Sequence, residues 1–461
     1  METPTYDVIV VGSGQGGGPI ASELARAGRK TALIEREHIG GTCVNEGCTP
    51  TKTMVASARA AYAARRAANY GVHTGEISID MARVRERKRA IVEQFRSGSE
   101  RSTRETPNLD LIEGHARFVG QNELEVALNV GGTKRLRAET IIINTGARPA
   151  MPKIAGIADV PVLDSTTVME LDEVPEHLLV VGGGYIALEF GQMFRRFGSQ
   201  VTIIQRGGQL LAREDAEIAN AMADLLREDG ITVLLDATTS HVAYDGGQHR
   251  LTVTVGDQSR ELTGSHLLVA VGRSPNTDDL GLDQTGVKLD KQGFIQVDDR
   301  LQTDAPGIYA IGDVKGGPAF THISYDDFRI LRTNLLHGGE LTTSQRMVPY
   351  TVFTDPQLGR VGLSEQEARE QGLNIKVASM PMSSVARALE VDETRGLMKA
   401  IVDAESGQIL GCAILGIEGG EVASMLQIAM MGKLPYTALR DATLSHPTLA
   451  ESLNNLFASV E

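Results

Sequence analysis

Cys43 and Cys48 stand five positions apart in the stretch Gly40-Gly41-Thr42-Cys43-Val44-Asn45-Glu46-Gly47-Cys48-Thr49-Pro50-Thr51-Lys52, and they are two of the three cysteines in the chain. Two thiols at that spacing, fenced by glycines, can meet across a backbone turn and form a disulfide. In an undistorted helix they would point to different faces, so the stretch must be irregular if the sulfurs are to bond. Pro50 suits a first helical position, which places Cys48 at or just before a helix N-terminus, where the dipole favours a thiolate. A second reactive group lies near the other end of the chain, in Ser445-His446-Pro447-Thr448-Leu449-Ala450-Glu451. An acid five positions after the imidazole, just inside a helix that Pro447 can start, would tune His446 as a general acid/base. Cys412, in Ile409-Leu410-Gly411-Cys412-Ala413, reads as a buried strand residue.

The composition narrows what these groups can serve. A chain of 461 residues with 41% apolar content predicts about three domains. Lys and Arg number 45 against 59 acidic residues, a net charge of -14, which argues against a nucleic-acid or anionic-membrane partner. The opening Met-Glu-Thr-Pro-Thr-Tyr-Asp has no basic region and runs into a strand, so no signal peptide is expected. No apolar run reaches the length of a membrane span. A cytoplasmic protein is expected, and there a cysteine pair is catalytic or metal-binding rather than a structural staple.

The elements that must hold these residues follow in order. Strand Tyr6–Val11 opens into Gly12-Ser13-Gly14-Gln15-Gly16-Gly17, then a helix to about Ala27 and a strand Thr31–Ile34 ending in Glu35. Gly12, Gly14 and Gly17 allow a tight turn and a close approach to a pyrophosphate, and Glu35 lies where a carboxylate accepts from a ribose hydroxyl. Helices are expected over about Thr53–Asn69 and Asp80–Arg104. Strands follow at Leu109–Phe118, Glu123–Leu128, Leu136–Ala138 and Thr140–Asn144, closing in Thr145-Gly146.

A second dinucleotide unit begins with strand Leu178–Val181, Gly182-Gly183-Gly184-Tyr185-Ile186-Ala187, a helix to about Phe197 and strand Val201–Ile204. Two such units mean two nucleotides. At the second strand's tip stand Gln205 and Arg206 rather than an acid, so the site should favour NADPH, with NADH possible. Helix Asp215–Glu228 and two β segments lead to strand Leu267–Val271 and Gly272. A buried strand then ends in Gly312-Asp313, placing a carboxylate at a sheet's C-terminal edge. From about Val348 alternating strands and helices form a third, α+β domain.

Taken together, these residues resemble the class I pyridine nucleotide-disulfide oxidoreductases, the family of glutathione reductase, dihydrolipoamide dehydrogenase and mercuric reductase. Gly40–Lys52 matches the signature G-G-T-C-x-N-x-G-C-x-P-[ST]-K, the tail matches H-P-T-x-x-E, and the likeness covers essentially the whole chain. It implies an α/β fold with two Rossmann-like dinucleotide-binding domains, for FAD and NAD(P), plus a C-terminal α+β dimerisation domain. The expected boundaries are 1-149 and 270-346 for the FAD domain, 150-269 for the NAD(P) domain and 347-461 for the dimerisation domain. Gly12, Gly14, Gly17, Glu35, Gly41, Thr42, Lys52, His115, Ala116, Thr145, Gly146, Asp313 and Thr321 would bind FAD. Gly182, Gly184, Tyr185, Ile186, Glu189, Arg206 and Gly272 would bind the nicotinamide cofactor. In the roles the family implies, Cys48 faces the flavin, Cys43 attacks substrate, and Lys52 lies by flavin N5, paired with Glu189. Tyr185 covers the nicotinamide pocket, and His446 with Glu451 reaches the other subunit's cysteines, so each active site needs a homodimer.

The expected activity is an NAD(P)H:disulfide oxidoreductase, which passes electrons through FAD and a Cys43–Cys48 disulfide to a small-molecule disulfide or thiol-reactive substrate. A metal-ion reductase for Hg(II) or Cu(II), taking a thiol-bound metal on the same dithiol and with no resident metal, is one alternative. A flavin-bound redox sensor is another, although a sensor needs no second nucleotide. The stretch Ala319–Asp327 and the end Leu444–Phe457 resemble a mercuric-reductase-like branch that includes reactive-chlorine-resistance flavoproteins. The chain ends Leu456-Phe457-Ala458-Ser459-Val460-Glu461, without the terminal cysteine pair that mercuric reductases carry.

Overall fold

A computed structural model describes residues 3–460; Met1 and Glu2, on which the expected absence of a leader partly turns, lie outside it, as does Glu461. The chain divides into two compact units. Unit 1 is Met1–Thr53, Arg83–Ala150 and Gly272–Arg346; unit 2 is Met54–Ala82, Met151–Val271 and Met347–Glu461. The expected NAD(P) and dimerisation segments thus fall almost wholly within unit 2.

Unit 1 is built on a six-stranded sheet. Its strands include β1 (Thr5–Val11), β2 (Thr31–Glu35), β3 (Leu109–Gly120), β4 (Glu123–Leu128) and β5 (Thr133–Ile143). β1 lies parallel to both β2 and β5, with Val8 opposite Thr31 and Thr140. Strand Ile308–Ala310 extends the parallel set beyond β5, while β4 pairs antiparallel with β3 and β5. A parallel strand is covered on both faces and so reads as an unbroken apolar run. Val8 and Val10 point into one core layer with Ile20, Leu24, Phe328 and Leu331, while Ile9 and Val11 point into the other with Phe118, Leu124 and Leu136. The expected strands Leu136–Ala138 and Thr140–Asn144 are one continuous strand. Glu139 between them is an outward-facing position of an alternating pattern rather than a break.

Unit 2 holds a four-stranded parallel sheet made of His266–Val269, His177–Val181, Gln200–Ile204 and Thr232–Leu234, in that order. An antiparallel sheet of three strands, Ala237–Asp245, Gln248–Val255 and Gln258–Gly264, follows in sequence. Four strands therefore lie between residues 228 and 266, where two β segments were expected. The short Thr232–Leu234 and the polar, largely exposed Gln258–Gly264 carry little hydrophobic signal of their own. The C-terminal segment forms a five-stranded antiparallel sheet, from Tyr350–Val352 to Ile375–Pro381, against which the helix Gly419–Met431 packs. Cys412 is a core residue of that sheet, 2% exposed, and burial pushes its thiol up to about 12.

Candidate active site

In unit 1 the glycine turn between β1 and helix α1 (Gly17–Arg26) is shaped by close backbone approach. Gly12 has φ +98°, and a Cβ there would lie 2.3 Å from the carbonyl oxygen of Asn144, so only glycine fits. The Asn144 side chain holds the turn from the other side: its Oδ1 accepts from the Gly17 amide at 2.9 Å, and its Nδ2 donates to the Ile311 carbonyl at 2.9 Å. Glu35 ends β2 as expected. Its Oε2 accepts from the Ser13 hydroxyl and amide at 2.6 and 3.0 Å, and its Oε1 accepts from the Glu37 amide at 2.9 Å. Each carboxylate oxygen can accept more than one hydrogen bond, so a ribose hydroxyl remains within its capacity.

The dithiol stretch is irregular, as the spacing requires. Cys43 lies in a short helix α2 (Gly41–Asn45), the helix is interrupted at Glu46-Gly47, and Cys48 begins helix α3 (Cys48–Arg66). α3 therefore starts earlier than residue 53, and Pro50 is its third residue rather than its first. The first turn tolerates proline because its N–H groups have no intrahelical partner. α2 lies directly on the nucleotide turn: Gly41 has φ +60°, and a Cβ on it would come within 2.7 Å of the Gly14 Cα. Thr42 follows in the same short helix. Both cysteines are free thiols; Cys48 is exposed and Cys43 half-buried. A hydrogen bond to Cys48, and then burial, pushes the Cys43 thiol far above its ordinary value. Lys52 stands one turn beyond Cys48 on the same face of α3.

Thr321 opens the helix Thr321–His337, and its hydroxyl lies 3.2 Å from Cys48 Sγ. Further along this helix Asp327, fully buried, accepts from the Gly312 amide at 2.9 Å and pairs with Arg346 at 2.7 Å and Lys315 at 3.4 Å. It thereby fixes the Gly312-Asp313 turn. Burial pushes the Asp313 carboxyl above the usual carboxylate range, against the opposing pull of Arg273 and Lys315. Thr145 and Gly146 are pinned by Asn276, which donates from Nδ2 to the Thr145 carbonyl at 2.8 Å and from its amide to the Gly146 carbonyl at 3.0 Å. His115 Nε2 lies 3.4 Å from Asp279, and Ala116 is buried in β3. Gly272, with φ +131°, accepts from the Ala150 amide through its carbonyl.

Unit 2 carries the remaining residues. Gly182 has φ +126°, and a Cβ there would meet the Ala270 carbonyl oxygen at 2.3 Å, which repeats the geometry of Gly12. Gly184 caps the helix Tyr185–Phe197, with Tyr185 and Ile186 half-buried in its first turn. Glu189, 3% exposed, accepts from the Phe353 amide at 2.9 Å. Arg206 is exposed after strand Gln200–Ile204. His446 Nδ1 donates to both oxygens of Glu451, at 2.8 and 3.0 Å, which leaves Nε2 as the basic nitrogen. Glu451 is the N-cap of the helix Ser452–Ala458.

Asn144, Asn276 and Asp327 are the functional residues that sequence reasoning missed. The partners of Asn144 lie 127 and 167 positions away, and those of Asn276 and Asp327 are also remote or backbone groups that no local pattern exposes.

An FAD fits these residues. The Gly12–Gly17 turn presents backbone where side chains are excluded, at the N-terminus of α1, and Glu35 and Asp313 supply acceptors along the same sheet edge. Residues 6–327 match the family described as pyridine nucleotide-disulphide oxidoreductase, and residues 348–457 match its dimerisation domain. The chain belongs to this family of FAD- and NAD(P)H-dependent oxidoreductases. It is 40% identical over 460 residues to the probable pyridine nucleotide-disulfide oxidoreductase RclA of Escherichia coli, covering 99% of each chain. It is 35% identical to a mercuric reductase of Staphylococcus aureus, covering 97% of this chain and 81% of that one. The solved Cu(II) complex of the HOCl-induced flavoprotein disulfide reductase RclA from Escherichia coli superposes with a TM-score of 0.90 at 38% identity, over 99% of both chains. Among the described residues no helix is long and apolar enough to cross a membrane, and no three His, Cys, Asp or Glu side chains gather as a metal site.

Proposed function

We propose that this chain is a cytoplasmic homodimeric NADPH:disulfide reductase that cycles Cys43 and Cys48 between dithiol and disulfide. The observation that carries this reading is the seating of α2, the short helix that holds Cys43, on the nucleotide turn, with Gly41 against Gly14, so that the cysteine stretch is fixed to the segment that would hold a flavin nucleotide. FAD, when bound, supplies the two-electron carrier between the nicotinamide and the cysteine pair.

The chain's own residues do the rest. The Nε2 of a partner subunit's imidazole, equivalent to His446, takes the proton of Cys43. The Cys43 thiolate then attacks one sulfur of the substrate disulfide, forming a mixed disulfide and releasing the first thiolate, which receives that proton. Cys48 then attacks the Cys43 sulfur. The second substrate thiolate leaves and takes a proton from solvent, and the Cys43–Cys48 disulfide closes. Two electrons have passed from the pair to the substrate. Glu451 keeps the imidazole in the tautomer this requires. Lys52 is assigned to the flavin's reactive edge, Tyr185 to covering the nicotinamide, and Arg206 to the 2′-phosphate of NADPH. The exposed apolar side chains Met425, Ile428 and Met431 on helix Gly419–Met431 support an interface with a second copy.

A second reading, reduction of Hg(II) or Cu(II) held by the two soft thiolates, is favoured by the mercuric reductase relatives and by the copper complex of RclA. Anaerobic NADPH titration followed by turnover with a panel of disulfides, Hg(II) and Cu(II) tests both. A long-wavelength thiolate-to-flavin absorbance after two electrons, with turnover on disulfides, is expected. Turnover on the metals alone would replace the first reading by the second, and no such band would refute the role given to Cys48.

A further inference from the structure

A cavity of about 580 Å³ lies in unit 2, and no residue assigned above to flavin, nicotinamide or thiol chemistry lines it. Its wall carries five arginines: Arg65 and Arg66 from the last turn of α3, Arg195 and Arg196 from the last turn of the helix Tyr185–Phe197, and Arg395. Four acids line it as well, Glu228, Asp229, Asp392 and Glu393. Three of the arginines are held by carboxylates. Arg395 donates to both oxygens of Glu393, at 2.7 and 2.8 Å, and to one of Asp229 at 2.6 Å, while Gln192 donates to the other Asp229 oxygen at 2.7 Å. Arg66 bonds Asp392 at 2.8 Å, and Arg196 pairs with Asp355. The same three guanidinium groups stand around the Tyr62 ring, at 5.7, 5.0 and 3.8 Å from its centre, which fixes them in the wall.

Arg65 and Arg195 differ. Arg65 donates to the Arg196 carbonyl, and Arg195 donates to the carbonyls of Asp229 at 2.9 Å and Ser199 at 3.2 Å; among the described residues neither is paired with a carboxylate. A guanidinium carries more N–H groups than these bonds use. The carbonyls of residues 196 and 199 belong to one helix end, which brings the two side chains together. Arg196 Nε, on a side chain 5% exposed, also lacks a partner among the described residues. Glu228 is the one lining acid without an ion pair among them, and it is exposed, where water and salt screen its charge. The C-terminal end of a helix disfavours an anion, so binding there depends on the guanidinium groups. To engage two guanidinium forks at once an anion needs more than two oxygens, which a phosphate has and a carboxylate lacks. We propose that this cavity binds a phosphate group, free or carried on a small organic molecule, between Arg65 and Arg195. Its volume suits a small-molecule ligand, and the site stands independently of the dithiol reading.

Isothermal titration calorimetry of the holoprotein tests this, with saturating NADP+ present so that the nicotinamide site is filled. Inorganic phosphate and glucose 6-phosphate are the probes, and citrate at matched ionic strength is the control. The parent should bind phosphate at one site per chain, and Arg65→Gln and Arg195→Gln should each weaken that binding about tenfold or more. Tighter binding of glucose 6-phosphate than of inorganic phosphate identifies an organic ligand, and equal or weaker binding identifies the free ion. Arg195 also bonds a helix end, so circular dichroism and flavin absorbance check the fold of its variant. If Arg195→Gln does not fold, Arg65→Gln decides, since Arg65 is exposed and donates to a single carbonyl. No binding of either probe, binding that Arg65→Gln keeps, or binding of citrate in preference to phosphate would overturn the proposal.

Discussion

Replacing Asp327 by alanine should damage unit 1 at the point where its sheet edge is organised. The carboxylate is 0% exposed and makes three contacts, with the Gly312 amide at 2.9 Å, Arg346 at 2.7 Å and Lys315 at 3.4 Å. Arg346 and Lys315 are themselves only 12% and 10% exposed. Truncation leaves buried cations short of their counter-charge, which costs about 3–5 kcal/mol, and leaves the Gly312 N–H without its acceptor, which adds about 1–3 kcal/mol. Arg346 keeps a contact with Asp326 at 3.3 Å, so the lower half of that range applies. The two terms together then cost about 4–6 kcal/mol, and at about 2–4 °C per kcal/mol for a unit of this size the melting temperature should fall by roughly 8–24 °C. Asp327→Asn, which keeps an oxygen for the Gly312 amide but not the charge that faces Arg346 and Lys315, should fall by less than Asp327→Ala but by more than half as much. Thermal unfolding of the holoprotein, read by circular dichroism and by release of flavin fluorescence, measures both variants. The Gly312-Asp313 turn depends on this carboxylate, so flavin release should precede the loss of secondary structure in Asp327→Ala. A melting temperature within about 2 °C of the parent would refute the reasoning that the buried ion pairs hold the turn.

Four further outcomes follow from the sites described. His446→Ala should slow disulfide turnover by about 10²-fold or more while leaving flavin reduction by NADPH near the parent rate, measured by stopped flow; equal loss in both would remove His446 from the thiol step. Arg206→Ala should raise KM for NADPH and leave KM for NADH unchanged in steady-state assays, and equal loss with both cofactors would count against a phosphate contact. Burial lowers the pKa values of His177 and His266, the latter further through His249. The unfolded chain therefore binds more protons below about pH 6.5. The contribution of the two neutral imidazoles is complete above that value and is lost as pH falls toward the folded-state values, so urea midpoints should drop between about pH 7 and 5.5 and drop less in His177→Gln/His266→Gln. Ile428→Asp should shift the protein from dimer to monomer in analytical ultracentrifugation and abolish disulfide turnover with it; a stable, active dimer would place the interface elsewhere.

The parts of the fold legible in the sequence were those written in short-range chemistry. Gly12, Gly182 and Glu35 announce themselves because a turn that excludes side chains and an acid at a strand's end are local demands. The break between Cys43 and Cys48 was legible for the same reason, since two sulfurs five positions apart cannot meet on one regular helix. α3 starts five residues before the expected Thr53, at Cys48, the place beside a helix N-terminus that Pro50 predicts, because proline fits any position of the first turn. Asn144 was passed over because its value lies in two backbone groups, at Gly17 and Ile311, that only the folded sheet brings to it. Asp327 carries no local mark of its role, since an acid within a helix gives no sign that Arg346 and Lys315 will bury it.

The contact of Gly41 with Gly14 also determines where the redox centre can give way. α2 is clamped at its start by that contact and at its end by Asn45, whose Nδ2 donates to the Ile39 and Gly41 carbonyls at 3.0 Å each and whose Oδ1 accepts from Arg96 at 2.7 Å. It is a fixed wall carrying one sulfur. When the pair passes between two thiols and a bonded disulfide, the change in sulfur separation has to be absorbed at the Glu46-Gly47 joint and by side-chain rotation, because the nucleotide turn beneath α2 offers no slack. The cysteine loop thus has one side fixed to the nucleotide turn, and the Glu46-Gly47 joint is the place where α2 and α3 meet without a shared helical ladder.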